Sequence, residues 1–474
     1  MVGRVQHRPG RDLHDDLDHR RDATLTVRSN SGWLRVSRYT PPCPIVRCLA
    51  FLLAVLSVAV TAQPADRVAR LDSALAALHA DGLFDGALAI SGADGTVLYR
   101  FAAGMHDGAP VTTDRPLYVA SVSKQMTAAA VLSLVAERRL GLDDPVEQVL
   151  DPWPYPEVTV RMLLDQTSGL HFLTPLVAHA DTSRPVPSEI AQALIAEHRP
   201  GTAHEPGTAF AYDNANYITL AWVLEAVTGQ MYGEVLRERV FEPAGMTRAF
   251  VGPAGAADWI AWAGGDGDAL HASVDDLLTF DDAFWSGRIV PDSLVRSAVV
   301  ELPDGTDSQY VFGRFVREAP RPLVGHWGEG DAVKTGLWRE LLHGTLPGTT
   351  YAIEATSHGV YRTPILGAVM DLWNGAPFAF PLPRPLADVP EAVLARHVGV
   401  YESGFGRLHI TLESGQLHLE PEGAGGSEPL VAGSETVFYF CCQDLTWEFV
   451  TDAEGRTAGI QIQGQPQTLG RRVE

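Results

Sequence analysis

Lysine is almost missing from this chain. Of its 36 basic side chains only Lys124 and Lys334 are lysines, and the other 34 are arginines. A biased genome composition accounts for the general preference but not for where the two exceptions fall. Arginine keeps its charge in proteins, whereas a desolvated lysine loses its proton readily. Cysteine is also scarce, with only Cys43, Cys48 and the adjacent pair Cys441-Cys442. Positive charge is in deficit: the net charge of −22 leaves nothing to neutralise phosphates, which argues against a nucleic-acid partner. The acidic residues are spread along the chain rather than run together, as on a solvated surface. No internal repeat is visible, and no apolar run reaches the ~20 residues that a spanning helix needs.

The longest apolar run, Cys48 to Val60 (CLAFLLAVLSVAV), follows Arg47 and leads into Val60-Thr61-Ala62. That pattern reads as a secretory signal over residues 46–62 with cleavage after Ala62, and a retained N-terminal anchor is the alternative. Export gives a periplasmic or extracellular protein without stable membrane association once the signal is removed. Residues 1–45 sit oddly in front of a signal; they read as an overextended or disordered extension, and a start at Val36 or Val46 would leave an ordinary leader. Their histidines, His7, His14 and His19, match no closed metal-ligand spacing. In the exported chain only Cys441-Cys442 remains. A disulfide between neighbours is strained, and on a strand the two side chains point to opposite faces. The pair therefore reads as two thiols on a strand, without a catalytic role.

Beyond the signal the period of the apolar residues changes twice. Asp66 to His79 reads as an amphipathic helix, and Gly86 to Ser91 and Thr96 to Phe101 read as strands joined at Ala93-Asp94-Gly95. A helix is predicted from Ser121 to Arg139, closed by Gly141, and the segment to about Ala283 is mainly helical and loop-rich. Strands return at Tyr310 to His326 and Thr350 to Ser357. Strands at both ends with helices between them imply an antiparallel sheet flanked by helices plus a helical subdomain, an α/β (α+β) architecture over residues 66–376. A Pro-rich linker, 377–390, precedes five or more short alternating strands in 391–474, the pattern of a small β-barrel or sandwich.

The chemistry-bearing residues start at Ser121, with Lys124 one turn later on the same face. A serine at a helix start gains from the partial positive charge there, and its own N–H is available as an oxyanion donor. Lys124 lies among Met126 and Ala128 to Ala130, which would press it toward its neutral form. Ser-x-x-Lys alone is a weak signal, equally that of an N-cap serine with a solvated lysine. Tyr212-Asp213-Asn214 adds to it. A phenol near a lysine can pass a proton from serine to leaving group, and an asparagine amide can hold a substrate amide or ester.

These residues, in this order, resemble the serine β-lactamase-like hydrolases, in the branch with class C β-lactamases, D-alanyl-D-alanine peptidases and related esterases. Leu117 to Lys124 (LYVASVSK) resembles the nucleophile motif; Thr159 to Leu170 resembles the second helix and turn, with Gln166 where the family usually has histidine. Tyr212-Asp213-Asn214 resembles the Tyr-x-Asn motif, Ala263 to Leu277 the stretch before a further helix, and Val311-Phe312-Gly313 with Gly325 to Gly328 the final strand motif. The resemblance covers roughly residues 68 to 375. It implies an acyl-enzyme on Ser121, with proton handling by Lys124 and Tyr212 and substrate contacts from Asn214, His326 and Gly328. It implies no metal or cofactor, a small-molecule or peptidoglycan-like substrate, and a small C-terminal domain of the kind often appended to these enzymes.

The last motif divides the reading, because the chain holds both His326-Trp327-Gly328 and Lys334-Thr335-Gly336. Position after the Val311 to Val316 strand favours His326; the scarcity of lysine favours Lys334. The expected role of either is electrostatic, holding a substrate carboxylate or carbonyl oxygen. Gly328 to Thr335 (GEGDAVKT) departs from a phosphate loop, since Val333 stands where the second glycine is required. The sequence leaves ester hydrolase, D-amino-acid peptidase, true β-lactamase and a non-catalytic binding protein on the same scaffold as readings.

Overall fold

The computed structural model describes residues 27–29, 32–34, 64–172, 188–252, 270–297, 308–317, 321–330, 333–342, 346–356, 362–379, 387–403, 406–413, 415–421, 428–440 and 446–473. The proposed signal, all four cysteines and much of the Pro-rich linker lie outside the described residues. The chain divides into two units, Met1–Thr61 and Ala62–Glu474. In the first, Val27–Ser29 pairs with Gly32–Leu34 as an antiparallel hairpin. Among the described residues no helix is long and apolar enough to cross a membrane.

In the second unit the first helix, α1 (Pro64–Ala80), buries Leu71, Leu75 and Leu78 along one stripe. Strands β1 (Gly86–Ser91) and β2 (Val97–Ala103) follow, and the later strands are β3 (Ser308–Val311), β4 (Arg314–Arg317), β5 (Leu323–Glu329), β6 (Lys334–Leu342) and β7 (Leu346–Ala355). They form one seven-stranded antiparallel sheet in the order β3-β4-β5-β6-β7-β1-β2, so strands more than 250 residues apart in sequence pair directly, Thr350 with Ser91 and Ala355 with Gly86. The α/β sandwich expected from the strand–helix–strand order is the fold observed.

Side chains alternate across this sheet. One face, with Ala87, Ala89, Leu337 and Ala352, packs on the helices α2 (Ser123–Ala136), α3 (Asn214–Thr228) and α4 (Val274–Trp285). The other, with Leu88, Ile90, Trp338, Tyr351 and Ile353, packs on α1 and α5 (Arg362–Trp373). Every residue of α2 from Ser123 to Leu134 is buried, as expected of a helix apolar around its whole circumference.

Two helix limits differ from the sequence reading. Ser121 lies in a one-turn 3₁₀ segment, Ala120–Val122, and the α-helix starts only at Ser123. At its other end Arg138, not Gly141, takes the left-handed position (φ +59°), and Arg139 N–H reaches the Leu134 carbonyl at 3.0 Å. That is a Schellman closure with arginine where glycine is usual, which hides it from a search for glycine. Helix α3 begins at Asn214, where the Asp213 carboxylate accepts the Ala215 N–H at 2.8 Å and caps it.

The C-terminal strands β8 (Gly399–Ser403), β9 (Gly406–Glu413), β10 (Gln416–Pro421), β11 (Glu428–Ala432), β12 (Val437–Phe440), β13 (Thr446–Thr451), β14 (Thr457–Ile462) and β15 (Gln465–Arg472) close into an eight-stranded barrel. Closure pairs β8 with β15 and leaves no open edge. Its interior holds Tyr401, Leu408, Leu417, Phe438 and Phe449. Buried His397 stacks on Phe449 at 4.1 Å and bonds Thr457 Oγ1 and the Glu435 carbonyl.

Candidate active site

The turn that carries Ser121 is held from three sides. Val119 donates its N–H to the Leu270 carbonyl at 3.1 Å, and its own carbonyl accepts the Thr335 hydroxyl at 2.7 Å. Between them Ala120 is left-handed (φ +47°), a conformation that costs a non-glycine residue about 1–3 kcal/mol unless its surroundings impose it. Gly328 explains how they do so. A Cβ there would lie 2.3 Å from the Val119 carbonyl and 2.2 Å from Thr335 Oγ1, so only glycine lets β5 approach the turn this closely.

Ser121 is half-buried and its Oγ accepts a hydrogen bond from Lys124 Nζ at 3.1 Å. No side chain caps the turn, so Ser121 is not an N-cap serine. Lys124 is 1% exposed, and its Nζ stands over the ring of Tyr212 at 5.3 Å and of Tyr217 at 5.8 Å. Aromatic faces are what a buried lysine has around it here in place of water. A hairpin turn supports its backbone: Phe312 (φ +46°) and Gly313 (φ +81°) join β3 to β4 in a type I′ geometry. A Cβ on Gly313 would come within 2.5 Å of the Lys124 carbonyl, which gives Val311-Phe312-Gly313 a structural purpose.

Tyr212 precedes the α3 cap and is 39% exposed, with its ring stacked on Phe315 at 6.3 Å and near His326 at 5.8 Å. Asn214 is the first residue of α3, and its Oδ1 is buried without a hydrogen-bond partner among the described residues. The segment hangs from Gln166, itself left-handed (φ +59°) and fully buried. Gln166 Oε1 accepts the Asp213 N–H at 3.0 Å and Asn216 Nδ2 at 2.7 Å. Next to it, burial pushes the Asp165 carboxyl up to about 6, partly offset by the Phe312 N–H and Arg161.

His326 and Lys334 separate cleanly. In the β5–β6 register His326 lies opposite Leu337 and Gly328 opposite Thr335, all on the α2 face. Lys334 lies opposite Glu329, one residue out of phase with Thr335, and its Nζ pairs with the Glu329 carboxylate at 3.0 Å. The lysine is therefore on the strand next to the motif strand and on the other face. His326 is 3% exposed among Tyr212, Tyr310 and Phe315. Burial above all, with a further contribution from the positive charge that Lys124 carries when protonated, holds its imidazole down at about 3, so the ring is neutral. Its Nδ1 hydrogen-bonds the Trp327 carbonyl, which makes Nδ1 the donor and leaves Nε2 as an acceptor without a partner among the described residues. The expected electrostatic grip on a substrate anion is not what this ring provides; a neutral acceptor suits a donor group.

Ser121, Lys124, Tyr212, His326 and Gly328 thus share one cluster, and Asn214 follows Tyr212 by two residues at the start of α3. Gln166, Thr335, Tyr310 and Ala120 also build it, and the sequence reading assigned none of them a role. Gln166 stood inside a quoted motif, and Thr335 beside the lysine under discussion. Among the described residues no group of His, Cys, Asp and Glu could hold a metal ion.

Residues 71–340 match the family described as Beta-lactamase. The chain is a member of the β-lactamase family. It is 28% identical to Penicillin-binding protein 4* of Bacillus subtilis over 75% of this chain and 88% of that protein. It is 32% identical to the D-aminopeptidase of Brucella anthropi over 50% of each, so it spans about half the length of that relative. Two solved structures share the fold: an octameric penicillin-binding protein homologue from Pyrococcus abyssi (20% identity, TM-score 0.55, 83% of this chain and 98% of that one), and SurE with D-Leu (23% identity, TM-score 0.55, 86% and 99%). Like its family, this chain is a serine hydrolase.

Proposed function

We propose that this serine hydrolase is exported and cleaves a small amide or ester whose acyl part is a D-amino acid or short D-configured peptide. The 3.1 Å contact between Lys124 Nζ and Ser121 Oγ, buried against two tyrosine rings, carries the reading. Lys124 in its neutral form takes the Oγ proton as the oxygen attacks the carbonyl carbon. The Ser121 N–H has no partner inside its turn and faces the developing oxyanion together with an N–H of β5. The proton passes by way of Tyr212 to the leaving nitrogen or oxygen, whose bond to the carbonyl carbon breaks. Water then attacks the acyl-serine with the proton path reversed, releasing a carboxylic acid and restoring Ser121.

Two observations support this acyl class over a penicillin. The relatives include D-aminopeptidases. Neutral His326 offers an acceptor to a substrate amine or hydroxyl, whereas a penicillin carboxylate asks for a cation, and Lys334 is engaged with Glu329 on the opposite face. The apolar run Cys48 to Val60 supports export, and a secreted protein starting after Ala62 is the expected product on N-terminal sequencing. The deciding experiment profiles purified protein on D-amino-acid amides, short esters and penicillins beside a fluorophosphonate label. Turnover of D-amides, with label and turnover both lost in Ser121→Ala, is expected; rapid penicillin turnover with inert D-amides overturns the substrate assignment.

A further inference from the structure

Across the sheet from His326 lies a cavity of about 270 Å³ between β4, β5, β6 and α5. Its walls are the indoles of Trp327 and Trp338, 5.5 Å apart and tilted by 55°, with Leu323, Leu366 and Met370. A cavity of about 150 Å³ is enough for benzene, so this one has room for a fused ring with a short substituent. On the helix side the wall is Gly367, where an added Cβ would meet nothing within 4 Å. The charges around it are unequal. Arg321 is committed to Asp371 at 2.8 Å and faces Glu340 at 3.7 Å. Arg317 is solvent-exposed, with its guanidinium over the Trp338 ring at 5.1 Å and no carboxylate ion-paired to it among the described residues. Among the described residues the mouth therefore carries one cation without an ion-paired carboxylate, beside an aromatic slot.

We propose that this cavity is a second binding site, separate from Ser121, for a small hydrophobic carboxylic acid whose ring enters between Trp327 and Trp338 and whose carboxylate meets Arg317. Charge complementarity sets the sign of the ligand, and the two indoles set its planar, apolar body. An acyl-serine hydrolase releases a carboxylic acid at every turnover, so the ligand class is one the reaction itself produces. In that clause alone the proposal leans on the function proposed above; binding is testable without catalysis.

The test is calorimetric titration of full-length Ser121→Ala protein with indole-3-acetate, indole-3-acetamide and tryptamine. For about 13 heavy atoms a Kd near the millimolar range is expected for the acid, with the amide and the amine at least about tenfold weaker. Arg317→Gln should bring acid and amide together. Gly367→Leu, which places a side chain at the cavity wall and improves helix propensity, should weaken the acid by about tenfold or more while leaving D-amide hydrolysis in the Ser121-intact protein within about twofold. Equal binding of acid and amide, a preference for tryptamine, undiminished binding to Gly367→Leu, or no binding up to ~10 mM would each overturn the proposal. None of these outcomes depends on which substrate Ser121 hydrolyses, so the failure of one reading leaves the other standing.

Discussion

The two faces of the central sheet differ in what they bury beside their apolar side chains. The face toward α2 and α4 buries ionisable and polar groups: Lys124, His326, Thr335, Arg339 and Glu354 are all under 8% exposed. The face toward α1 and α5 buries rings and alkyl chains, among them Leu88, Tyr351, Ile353 and Trp338. Taking charge out of water costs several kcal/mol per ion before any pairing. On the α2 face one such charge is well provided for: Asp281 accepts from Arg339 at 2.6 Å, Thr350 at 2.6 Å and Trp285 at 3.0 Å. Glu354 is not, since neither of its oxygens has a partner among the described residues. The α2 face thus holds several such groups in fixed positions within its apolar core, whereas on the α5 face the buried Glu340 is bonded to Asn374 and faces Arg321 among rings and alkyl chains.

Substitutions sort by face, and the largest effect belongs to the polar one. Lys124→Met removes the group hydrogen-bonded to Ser121 and should lower kcat/KM by about 10³-fold or more, with a melting temperature no lower than that of the parent. A protein that keeps its activity would detach catalysis from this face. Thr335→Val removes the hydroxyl that fixes the Val119 carbonyl. It should lower kcat by about 10–100-fold at nearly unchanged KM, since the nucleophile is misplaced rather than the pocket altered; restored activity in Thr335→Ser separates the lost hydrogen bond from lost shape.

Glu354→Met should be stabilising. Burial, together with Asp276 and Asp275, holds the Glu354 carboxyl well above its ordinary 4.5, so the folded protein keeps a proton that the unfolded chain releases. Wild-type stability therefore falls as pH rises above the unfolded value, and the advantage of the methionine grows from pH 5 to pH 8, to about 1–3 kcal/mol. Urea unfolding at the two pH values reads this directly, and an advantage that shrinks with pH would contradict it. The smallest effect belongs to Lys334→Met on the other face. Its pair with Glu329 is partly exposed, so stability should change by about 0–1 kcal/mol and turnover by less than about twofold. A large loss of turnover would restore Lys334 to the site.

What could be read from the sequence was whatever rests on local spacing or on order. Ser121 and Lys124 stand one helical turn apart, and strands at both ends of the region required the sheet that was found. What could not be read depends on phase and on distant backbone. Only position after a strand favoured His326 over Lys334, whereas the β5–β6 register puts the two on opposite faces. Gln166 carries no mark of its left-handed backbone, because buried contacts rather than residue type impose it. Arg138 ends α2 where a glycine was sought. In the barrel the alternation announced strands, but pairing of the first with the last is a long-range property that no single strand displays.

The hydrogen bond from Thr335 to Val119 spans 216 residues of chain. Ser121 and Lys124 therefore leave the ribosome together, long before the strand that gives their turn its shape. Contacts of such separation form late in folding, after the entropy of closing a long loop has been overcome. A nascent or half-unfolded chain that lacks this contact holds the reactive pair without the geometry to use it, so catalytic competence depends on a contact made across most of the domain.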